Sequence, residues 1–226
     1  MILPLQAGSS EPLVRWNYIR DQWDDIQAAL IDHIQLTVIS VLLGLVLSAG
    51  LAALALRYRW TAGPITTISA VIYTIPSVAL FGILVPYTGL SKTPAVIALT
   101  GYTFLILITA IMSGFRSVPR PVREAADGMG LSPRTRVLTV ELPLALPYII
   151  TGIRVATVTT VGLVTIASII GQGGLGDLIL DGLRRTYWTP MIVGAVLSVV
   201  LALVLDLGIW LLGRAVTPWT RRGRAA

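Results

Sequence analysis

The segment Arg123-Glu124-Ala125-Ala126-Asp127-Gly128-Met129-Gly130-Leu131-Ser132-Pro133, with Glu141-Leu142-Pro143 a few residues later, is the longest water-compatible stretch between two long apolar runs. Within it and just before it, four apolar side chains recur at i, i+3, i+4 and i+7, the spacing of one helix face. They are Val122, Ala125, Ala126 and Met129. The pattern predicts a short amphipathic helix that presses on something outside the apolar runs.

A turn and a second short helix are expected to follow. Gly130 suits the left-handed conformation that ends a helix. Ser132 is a preferred N-cap residue, and Pro133 is preferred in the first helical position. Pro143 is expected to limit the second helix, because a proline disfavours the helical conformation in the residue before it. The segment is therefore predicted to be a capped helical hairpin.

The composition is that of a protein that lies mostly in lipid. Of 226 residues, 55% are hydrophobic and 12% are charged, whereas soluble domains carry roughly 25% charged residues. A crossing helix takes about 20 apolar residues, so we predict an all-α integral membrane protein with about five transmembrane helices. The absence of cysteine excludes disulfides and thiolate metal sites, and the single histidine, His33, leaves no histidine cluster for a metal. The net charge of +6 fits arginine-rich cytoplasmic loops better than binding to nucleic acid.

Five apolar runs are predicted to span the membrane, at residues 34–56, 65–86, 94–115, 145–170 and 191–213. Pro76 lies in the middle of the second run, where a proline is expected to kink the helix. The first run is rich in small residues, which allow close contact between helices in lipid. These residues are Gly44, Ser48, Ala49, Gly50, Ala52 and Ala53.

Arginine is distributed unequally between the segments that join these runs. One side of the membrane receives Arg57, Arg59, Arg116, Arg120, Arg123, Arg134, Arg136, Arg214, Arg221, Arg222 and Arg224. The other side receives only Arg15, Arg20, Lys92, Arg184 and Arg185. Because cytoplasmic loops collect basic residues, we expect the N-terminus outside and the C-terminus in the cytoplasm.

This topology divides the chain into three parts. Residues 1–32 are expected to be an extracytoplasmic segment with an amphipathic interfacial helix, residues 33–213 a transmembrane domain, and residues 214–226 a basic cytoplasmic tail. Within the transmembrane domain, the cytoplasmic loop 116–144 holds the hairpin. Residues 171–190 form an extracytoplasmic loop that is polar and rich in glycine.

The stretch Gly171-Gln172-Gly173-Gly174-Leu175-Gly176 fits the pattern G-x-G-x-x-G. A dinucleotide fingerprint needs a preceding strand and a βαβ unit, but here a long apolar helix precedes it. We therefore interpret the stretch as an extracytoplasmic turn whose glycines let a partner approach the backbone. No nucleotide-binding motif is evident, so if ATP powers this protein, another chain binds it.

Two charged side chains are predicted to lie within spans, Arg154 in the fourth and Asp206 in the fifth. Such charges are costly and often functional. Arg154 could instead extend towards the headgroups, and Asp206 could pair with a neighbouring arginine. Among the aromatic residues of the spans, Tyr73 and Tyr102 could line a path for a cationic substrate or could simply pack.

The hairpin has the form E-A-A-x3-G-x9-I-x-L-P, in which Val140 replaces the isoleucine. It resembles the signature of the permeases of binding-protein-dependent ABC importers, which have the type I fold. Further stretches resemble the osmoprotectant subfamily, whose members import glycine betaine, choline, carnitine or proline betaine. They are His33-Ile34-Gln35-Leu36-Thr37, Ile75-Pro76-Ser77, Val85-Pro86 with Gly89, Leu142-Pro143-Leu144-Ala145-Leu146-Pro147, Gly152-Ile153-Arg154 and Ile170 to Gly176. The resemblance covers residues 33–213.

One departure concerns the third span, where Leu105-Ile106 and Ala110-Ile111 replace the Leu-Pro and Asn-Thr of many members. If those positions touch substrate, the ligand differs or the chain is the divergent half of a heterodimer. The permeases of methionine importers are the closest competitor, with similar length and a comparable Gly-Gly-Leu-Gly turn. A stand-alone secondary transporter or channel and a membrane scaffold are the alternatives from other classes.

The resemblance implies a transport subunit rather than an enzyme, placed in a bacterial-type inner membrane. Its partners would be a second permease subunit, two ATPase subunits that bind ATP and Mg²⁺, and an extracytoplasmic substrate-binding protein, with no cofactor in this chain. Coupling to the ATPase is expected from Glu124, Ala125, Ala126, Asp127, Gly130, Leu142 and Pro143. The external gate or binding-protein contact is expected at Gly171, Gly173, Gly174 and Gly176, and the candidate path residues are Tyr73, Pro76, Tyr102 and Arg154.

Overall fold

The structure is a computed structural model that describes residues 14–219. The regular structure in that part of the chain is entirely helical. The helices are α1 (Trp16–Asp21), α2 (Trp23–Arg57), α3 (Arg59–Thr74), α4 (Ser77–Thr88), α5 (Lys92–Arg116), α6 (Arg120–Gly128), α7 (Pro133–Arg136), α8 (Leu142–Ile166), α9 (Leu175–Arg184) and α10 (Trp188–Val216). A π-helical turn (Val137–Glu141) joins α7 to α8, and a 3₁₀ turn (Ala167–Ile170) follows α8.

Within residues 14–219, four helices are long and apolar enough to cross a membrane. They are α2, α5, the continuous helix Pro133–Ile170, and α10. The pair α3 and α4 passes the same test only together, with a bend of 95° between the two helices. With that pair counted as one broken span, there are up to five spans, in agreement with the sequence.

The spans share two ends. Helices α2, α5 and α10 end, and α3 and Pro133–Ile170 begin, at what we call the arginine-rich end, because Arg57, Arg59, Arg116 and Arg214 lie there. At the opposite end, the Lys92 ammonium group at the start of α5 lies 2.6 Å from the Asp32 carboxylate of α2. The hairpin therefore lies at the arginine-rich end, and the glycine-rich loop lies at the opposite end.

Helix α5 is the centre of the bundle. Of its 18-residue apolar stretch 61% is buried, whereas only 17% of the corresponding stretch of α10 is buried. The larger core cluster, where α2, α4, α5 and α8 meet, contains Leu36, Phe81 and Leu99. A smaller cluster between α2 and α5 contains Ala52 and Ile108. The exposed apolar face of α10 is suited to lipid or to another subunit.

Small residues bring the spans into close contact, as the sequence predicted for the first span. A Cβ added at Gly44 of α2 would lie 1.9 Å from Thr103 Oγ1 of α5. A Cβ at Gly152 of α8 would lie 2.3 Å from the Ala110 Cβ of α5. Of the six small residues noted in α2, Gly44, Ser48 and Ala52 are buried, while Ala49, Gly50 and Ala53 are exposed. The contact face of α2 is therefore a single row of small residues, spaced four positions apart in the sequence.

The second span is broken rather than kinked. Ile75 is extended, with φ −64° and ψ 128°, and Pro76 follows with ψ 129°. A proline favours the extended conformation in the residue before it and cannot donate a helical hydrogen bond. The Tyr102 hydroxyl donates to the freed Ile75 carbonyl at 2.7 Å. This side-chain partner allows the helix to stop completely, and the sequence pattern of residues 65–86 gave no sign of it.

The prediction that Pro143 limits the second hairpin helix is wrong. The helix continues from α7 through the π-helical turn into α8, and Pro143 lies in the first turn of α8. In the π-helical turn the Leu142 N–H donates to the Val137 carbonyl, five residues back. We attribute the tolerance of Pro143 to this wider turn, which changes the backbone spacing just where a proline removes a donor. The fourth span therefore starts well before residue 145.

The interfacial helix expected within residues 1–32 is divided in the structure between α1 and the first turns of α2. Only α1, of six residues, is separate, and residues from Trp23 onward belong to the 35-residue helix α2. Helix α1 packs on the segment before α10, where the rings of Tyr18 and Tyr187 meet edge to face at 5.4 Å. The first residues of the predicted N-terminal segment (1–13) and the last of the basic tail (220–226) lie outside the described residues.

Candidate functional site

The hairpin at the arginine-rich end has the turn geometry that its sequence predicts. Gly130 has φ +75°, the left-handed conformation. Its N–H donates to the Asp127 carbonyl at 2.9 Å, and the Leu131 N–H donates to the Ala126 carbonyl at 3.2 Å. These two bonds form a Schellman motif, which satisfies the last carbonyls of α6. Ser132 caps α7 by accepting from the Thr135 N–H at 3.3 Å, so both predicted caps are confirmed.

Helix α6 presents only part of its predicted apolar stripe to the outside. Ala126 is 1% exposed and Val122 is partly buried, so these two residues pack against their own chain. Ala125 is exposed, and Met129 is 72% exposed. Glu124 and Gly128 are exposed beside them. We give the name docking face to four exposed residues around the end of α6, which are Glu124, Ala125, Gly128 and Met129.

Four charged side chains, which we call the carboxylate clasp, join the hairpin to the start of the long helix. They are Arg123, Asp127, Arg136 and Glu141. Glu141, whose side chain is 8% exposed, accepts from Arg136 Nε at 2.9 Å and lies 3.5 Å from Arg123 Nη2. Arg136 Nη1 donates to Asp127 at 2.5 Å. Arg123 Nη2 also donates to the Phe115 carbonyl at the end of α5. A carboxylate as buried as Glu141 is stable only with such partners.

The clasp ties α6 to two spans at once, to α5 through Phe115 and to the helix Pro133–Ile170 through Glu141. Of these four residues, only Asp127 was expected from the sequence to take part in coupling. The sequence feature that could have indicated the clasp is the spacing of Arg123 and Asp127, which carry opposite charges and lie one helical turn apart. Leu142 and Pro143 are partly buried in the first turn of α8. They belong to the base of the hairpin and not to its docking face.

At the opposite end, the predicted glycines make close contacts within the chain itself. A Cβ at Gly176 would lie 2.3 Å from the Thr165 carbonyl oxygen, and one at Gly173 would lie 2.4 Å from Ser168 Cβ. Gly174, at φ +54°, faces α2, and its added Cβ would lie 2.8 Å from His33 Cβ. Only Gly171, which ends the 3₁₀ turn at φ +72°, is exposed. These glycines thus allow other helices of this chain to pack closely against the loop. The expectation from the sequence, a turn that a partner protein approaches, did not include this role.

Asp177 fixes this loop from the first turn of α9. Both of its carboxylate oxygens accept from the Gly173 N–H at 3.2 Å. Burial raises the pKa of Asp177 above its ordinary value, although the backbone N–H groups of Gly173 and Gly174 act in the opposite direction. His33, fully buried in α2 beside the loop, forms a 3.1 Å hydrogen bond with the Val161 carbonyl through Nε2. The loop is therefore a packed connection between α2, α8 and α9.

Three of the four candidate path residues lie together, and the fourth does not join them. Tyr73, Pro76 and Tyr102 surround the break between α3 and α4, where the two tyrosine rings meet at 6.2 Å. Tyr102 is 4% exposed and holds the Ile75 carbonyl, so its role in the described structure is to support the break. Arg154 lines a separate groove between α8 and α10, in which none of the other three takes part.

Arg154 and Asp206 form a bidentate ion pair across that groove. Arg154 Nε and Nη2 donate to the two Asp206 oxygens at 2.7 and 2.6 Å. The two side chains remain 33% and 29% exposed in this single chain. The pairing confirms the alternative in which Asp206 meets an arginine, and the planar two-bond geometry is the strongest that these groups form. Within residues 14–219 no group of three or more His, Asp or Glu side chains is placed to hold a metal ion.

Comparison with known proteins identifies the class to which this arrangement belongs. The family model described as the binding-protein-dependent transport system inner membrane component matches residues 33–218. The chain belongs to this family of membrane-spanning transport subunits. A solved structure of an inward-facing methionine ABC transporter (MetNI) covers 88% of this chain and 98% of its own, with a TM-score of 0.72 and 23% identity. A likeness at that identity concerns the fold alone.

Several curated relatives are more similar in sequence. The choline transport system permease protein OpuBB of Bacillus subtilis is 38% identical over 187 residues, 83% of this chain and 86% of that protein. The osmoprotectant import permease protein OsmW of Salmonella typhimurium is 35% identical over 212 residues, 92% and 97% of the two chains. The glycine betaine/carnitine/choline transport system permease protein OpuCB of Bacillus subtilis is 34% identical over 187 residues, 83% and 86%.

Proposed function

We propose that this chain is the permease subunit of an ATP-driven importer of osmoprotectants of the quaternary ammonium class, such as glycine betaine, choline, carnitine and proline betaine. The observation that carries this proposal is the agreement between relatives. Three proteins that match more than four fifths of the chain are named for choline, osmoprotectant or glycine betaine/carnitine/choline transport. The methionine transporter shares only the fold.

The docking face is the surface on which a partner ATPase would act. It combines the exposed Glu124, Ala125 and Met129 with a turn at Gly130 that only a glycine adopts without strain. Two ATPase subunits, each with bound ATP and Mg²⁺, would close beneath two permease subunits. The clasp would carry this displacement into α5 and α8 as rigid bodies. The distribution of arginine supports a cytoplasmic position for the hairpin, with the N-terminus outside.

The second permease subunit is supported by the groove that holds Arg154 and Asp206. A charged pair at membrane depth is costly in lipid, yet about a third of each side chain is uncovered in the single chain. A second copy, a related subunit or a water-filled path between subunits would provide a polar environment. An extracytoplasmic binding protein would deliver substrate at the opposite end, near the loop of Gly171 to Gly176.

The test of substrate class is uptake by cells that lack their own osmoprotectant importers. The chain is expressed with its ATPase and binding protein, and the uptake of labelled glycine betaine, choline, carnitine and methionine is compared. We expect uptake of at least one quaternary ammonium compound and none of methionine. Uptake of methionine alone would refute the substrate class and favour the methionine-type importer.

The test of coupling is Gly130→Val in the same assembled transporter. A β-branched residue at φ +75° is strained, so the turn should shift while the spans still insert. We expect normal amounts of membrane-inserted protein with transport uncoupled from ATP hydrolysis. Gly63→Ala is the control, because Gly63 lies in α3 outside the docking face and an added Cβ meets nothing within 4 Å. Transport at the wild-type level by Gly130→Val would show that the hairpin does not couple the two events.

A further inference from the structure

Three arginines line one pocket at the arginine-rich end, which shares Arg123 with the clasp and none of its residues with the docking face. The pocket has a volume of about 430 Å³ and is lined by Arg59, Arg116, Arg123, Ala55, Leu56 and Ala62. The arginines come from three different helices, since Arg59 begins α3, Arg116 ends α5 and Arg123 lies in α6. Among residues 14–219, no carboxylate lines the pocket. Three like charges around one space repel each other unless an anion occupies that space.

The charges of this pocket are only partly balanced within the described part of the chain. Arg123 lies 3.5 Å from Glu141 and donates to the Phe115 carbonyl, but its Nε is buried without a partner. Arg59 and Arg116 have exposed side chains, and within residues 14–219 neither makes an ion pair. The N-terminus of α3, which has no side-chain cap, lies at Arg59 and adds the positive end of a helix dipole there. A negatively charged group of the size of a phosphate would balance the charges of Arg59 and Arg116 and accept hydrogen bonds from their guanidinium groups.

The surroundings of the pocket are those of the membrane boundary. Ala55 and Leu56 form an apolar floor that continues into the last turns of span α2. Next to Arg59, Tyr58 is 48% exposed and Trp60 is 78% exposed. Tyrosine and tryptophan are enriched at headgroup level, where one part of the ring is in lipid and the other in water. The pocket therefore lies where the phosphate of a lipid headgroup is available next to an apolar surface.

We propose that Arg59, Arg116 and Arg123 form a binding site for the phosphate headgroup of an anionic phospholipid. The apolar floor contacts the glycerol and upper acyl region, and the guanidinium groups bind the phosphate oxygens, for which a planar fork of donors is well suited. Bound there, one lipid links the joint between α2 and α3 to the end of α5 and to the coupling helix α6. This proposal does not depend on which substrate is transported.

The experiment measures the association of spin-labelled phosphatidylglycerol with the full chain in phosphatidylcholine vesicles, by electron paramagnetic resonance, relative to spin-labelled phosphatidylcholine. The test variant is Arg59→Gln/Arg116→Gln, and the control is Arg120→Gln/Arg134→Gln. The control removes the same charge from exposed residues at the same end that do not line the pocket. Equal melting temperatures in detergent would show that both variants fold.

The hydrogen bond that each arginine donates to the lipid phosphate is worth about a fivefold change in affinity. We expect the wild type to select phosphatidylglycerol at a tight site, the test variant to lose roughly thirtyfold in affinity there, and the control to lose less than fivefold. Equal losses in the two variants would reduce the effect to surface charge and overturn the proposal. So would displacement of the labelled lipid by millimolar inorganic phosphate, since the site would then take a soluble anion. Retained lipid selectivity in the test variant, with loss of ATPase assembly, would assign the pocket to an acidic protein partner instead.

Discussion

The substitution Glu141→Gln tests whether the carboxylate clasp holds the hairpin against the spans. Glu141 is 8% exposed and contacts two arginines, Arg136 at 2.9 Å and Arg123 at 3.5 Å. A hydrogen bond to a charged group contributes about 1.5–3 kcal/mol, and a neutral one about 1 kcal/mol. Glutamine keeps one acceptor for Arg136 but loses the charge that attracts both arginines. The net loss should be about 2 kcal/mol, which is roughly a thirtyfold change in the equilibrium between docked and undocked hairpin.

A matched control is available in the same cluster. Asp127→Asn makes the same chemical change against the same arginine, Arg136, but the Asp127 side chain is 52% exposed. An exposed pair contributes less than about 1 kcal/mol, because water competes and salt screens it. The two variants therefore share the contact with Arg136 and differ in burial and in the second arginine, Arg123, which only Glu141 contacts.

The assay is hydrogen exchange of the amides of residues 120–136 in the full chain, followed by transport per ATP hydrolysed in the assembled system. Glu141→Gln should speed exchange in this segment roughly thirtyfold and lower the number of substrates moved per ATP. Asp127→Asn should change exchange less than fivefold. If the two variants behaved alike, or if Asp127→Asn had the larger effect, the claim that the buried carboxylate anchors the hairpin would be refuted.

Three further results are expected. Tyr102→Phe removes the donor to the Ile75 carbonyl and should cost about 1 kcal/mol, lowering the melting temperature by roughly 2–4 °C; an unchanged melting temperature would contradict this role. Arg154→Met and Asp206→Leu should each destabilise the protein more than the double variant does, because a single change leaves one charge unpaired; additive losses in thermal melts would argue against coupling. Since its folded-state pKa is raised, Asp177 binds its proton more readily in the folded loop. Loop protection, measured by hydrogen exchange corrected for the intrinsic rate, should therefore rise as pH falls from neutral through the folded pKa towards the unfolded pKa of about 3.9. Asp177→Asn should abolish that dependence.

The sequence allowed the spans and the hairpin to be predicted because both rest on local signals. Runs of apolar residues identify spans regardless of partners. The caps of the hairpin depend only on neighbours in the chain, and Gly130 and Ser132 adopt the predicted conformations. The same local rules failed at two prolines. At Pro76 a distant hydroxyl completes the break, and at Pro143 a π-helical turn accommodates the ring.

The contacts that organise the candidate site are mostly not local. Arg154 and Asp206 lie 52 positions apart in the chain. Their charges show that each needs a partner within its span, but the sequence does not show which residue that partner is. In the sequence, Glu141 cannot be distinguished from an ordinary exposed loop carboxylate. Its burial becomes clear only in the fold, where Arg123 of α6 lies against it. The glycine pattern of Gly173 and Gly176 predicted a close approach correctly, but it could not indicate that the approaching groups belong to the same chain. Small residues indicate contact without identifying the neighbour.

The helix from Pro133 to Ile170 is unbroken over 38 residues, about 57 Å at the rise of a helix, and it joins the clasp to the Arg154–Asp206 pair. Each residue of a helix advances the side chains by about 100° around its axis. One inserted or deleted residue between Glu141 and Arg154 would therefore turn either the carboxylate away from its arginines or the guanidinium away from α10. The number of residues between these two contacts sets the angle between them around the helix axis. Insertions and deletions in this stretch would therefore break one of the contacts, whereas substitutions leave the angle unchanged.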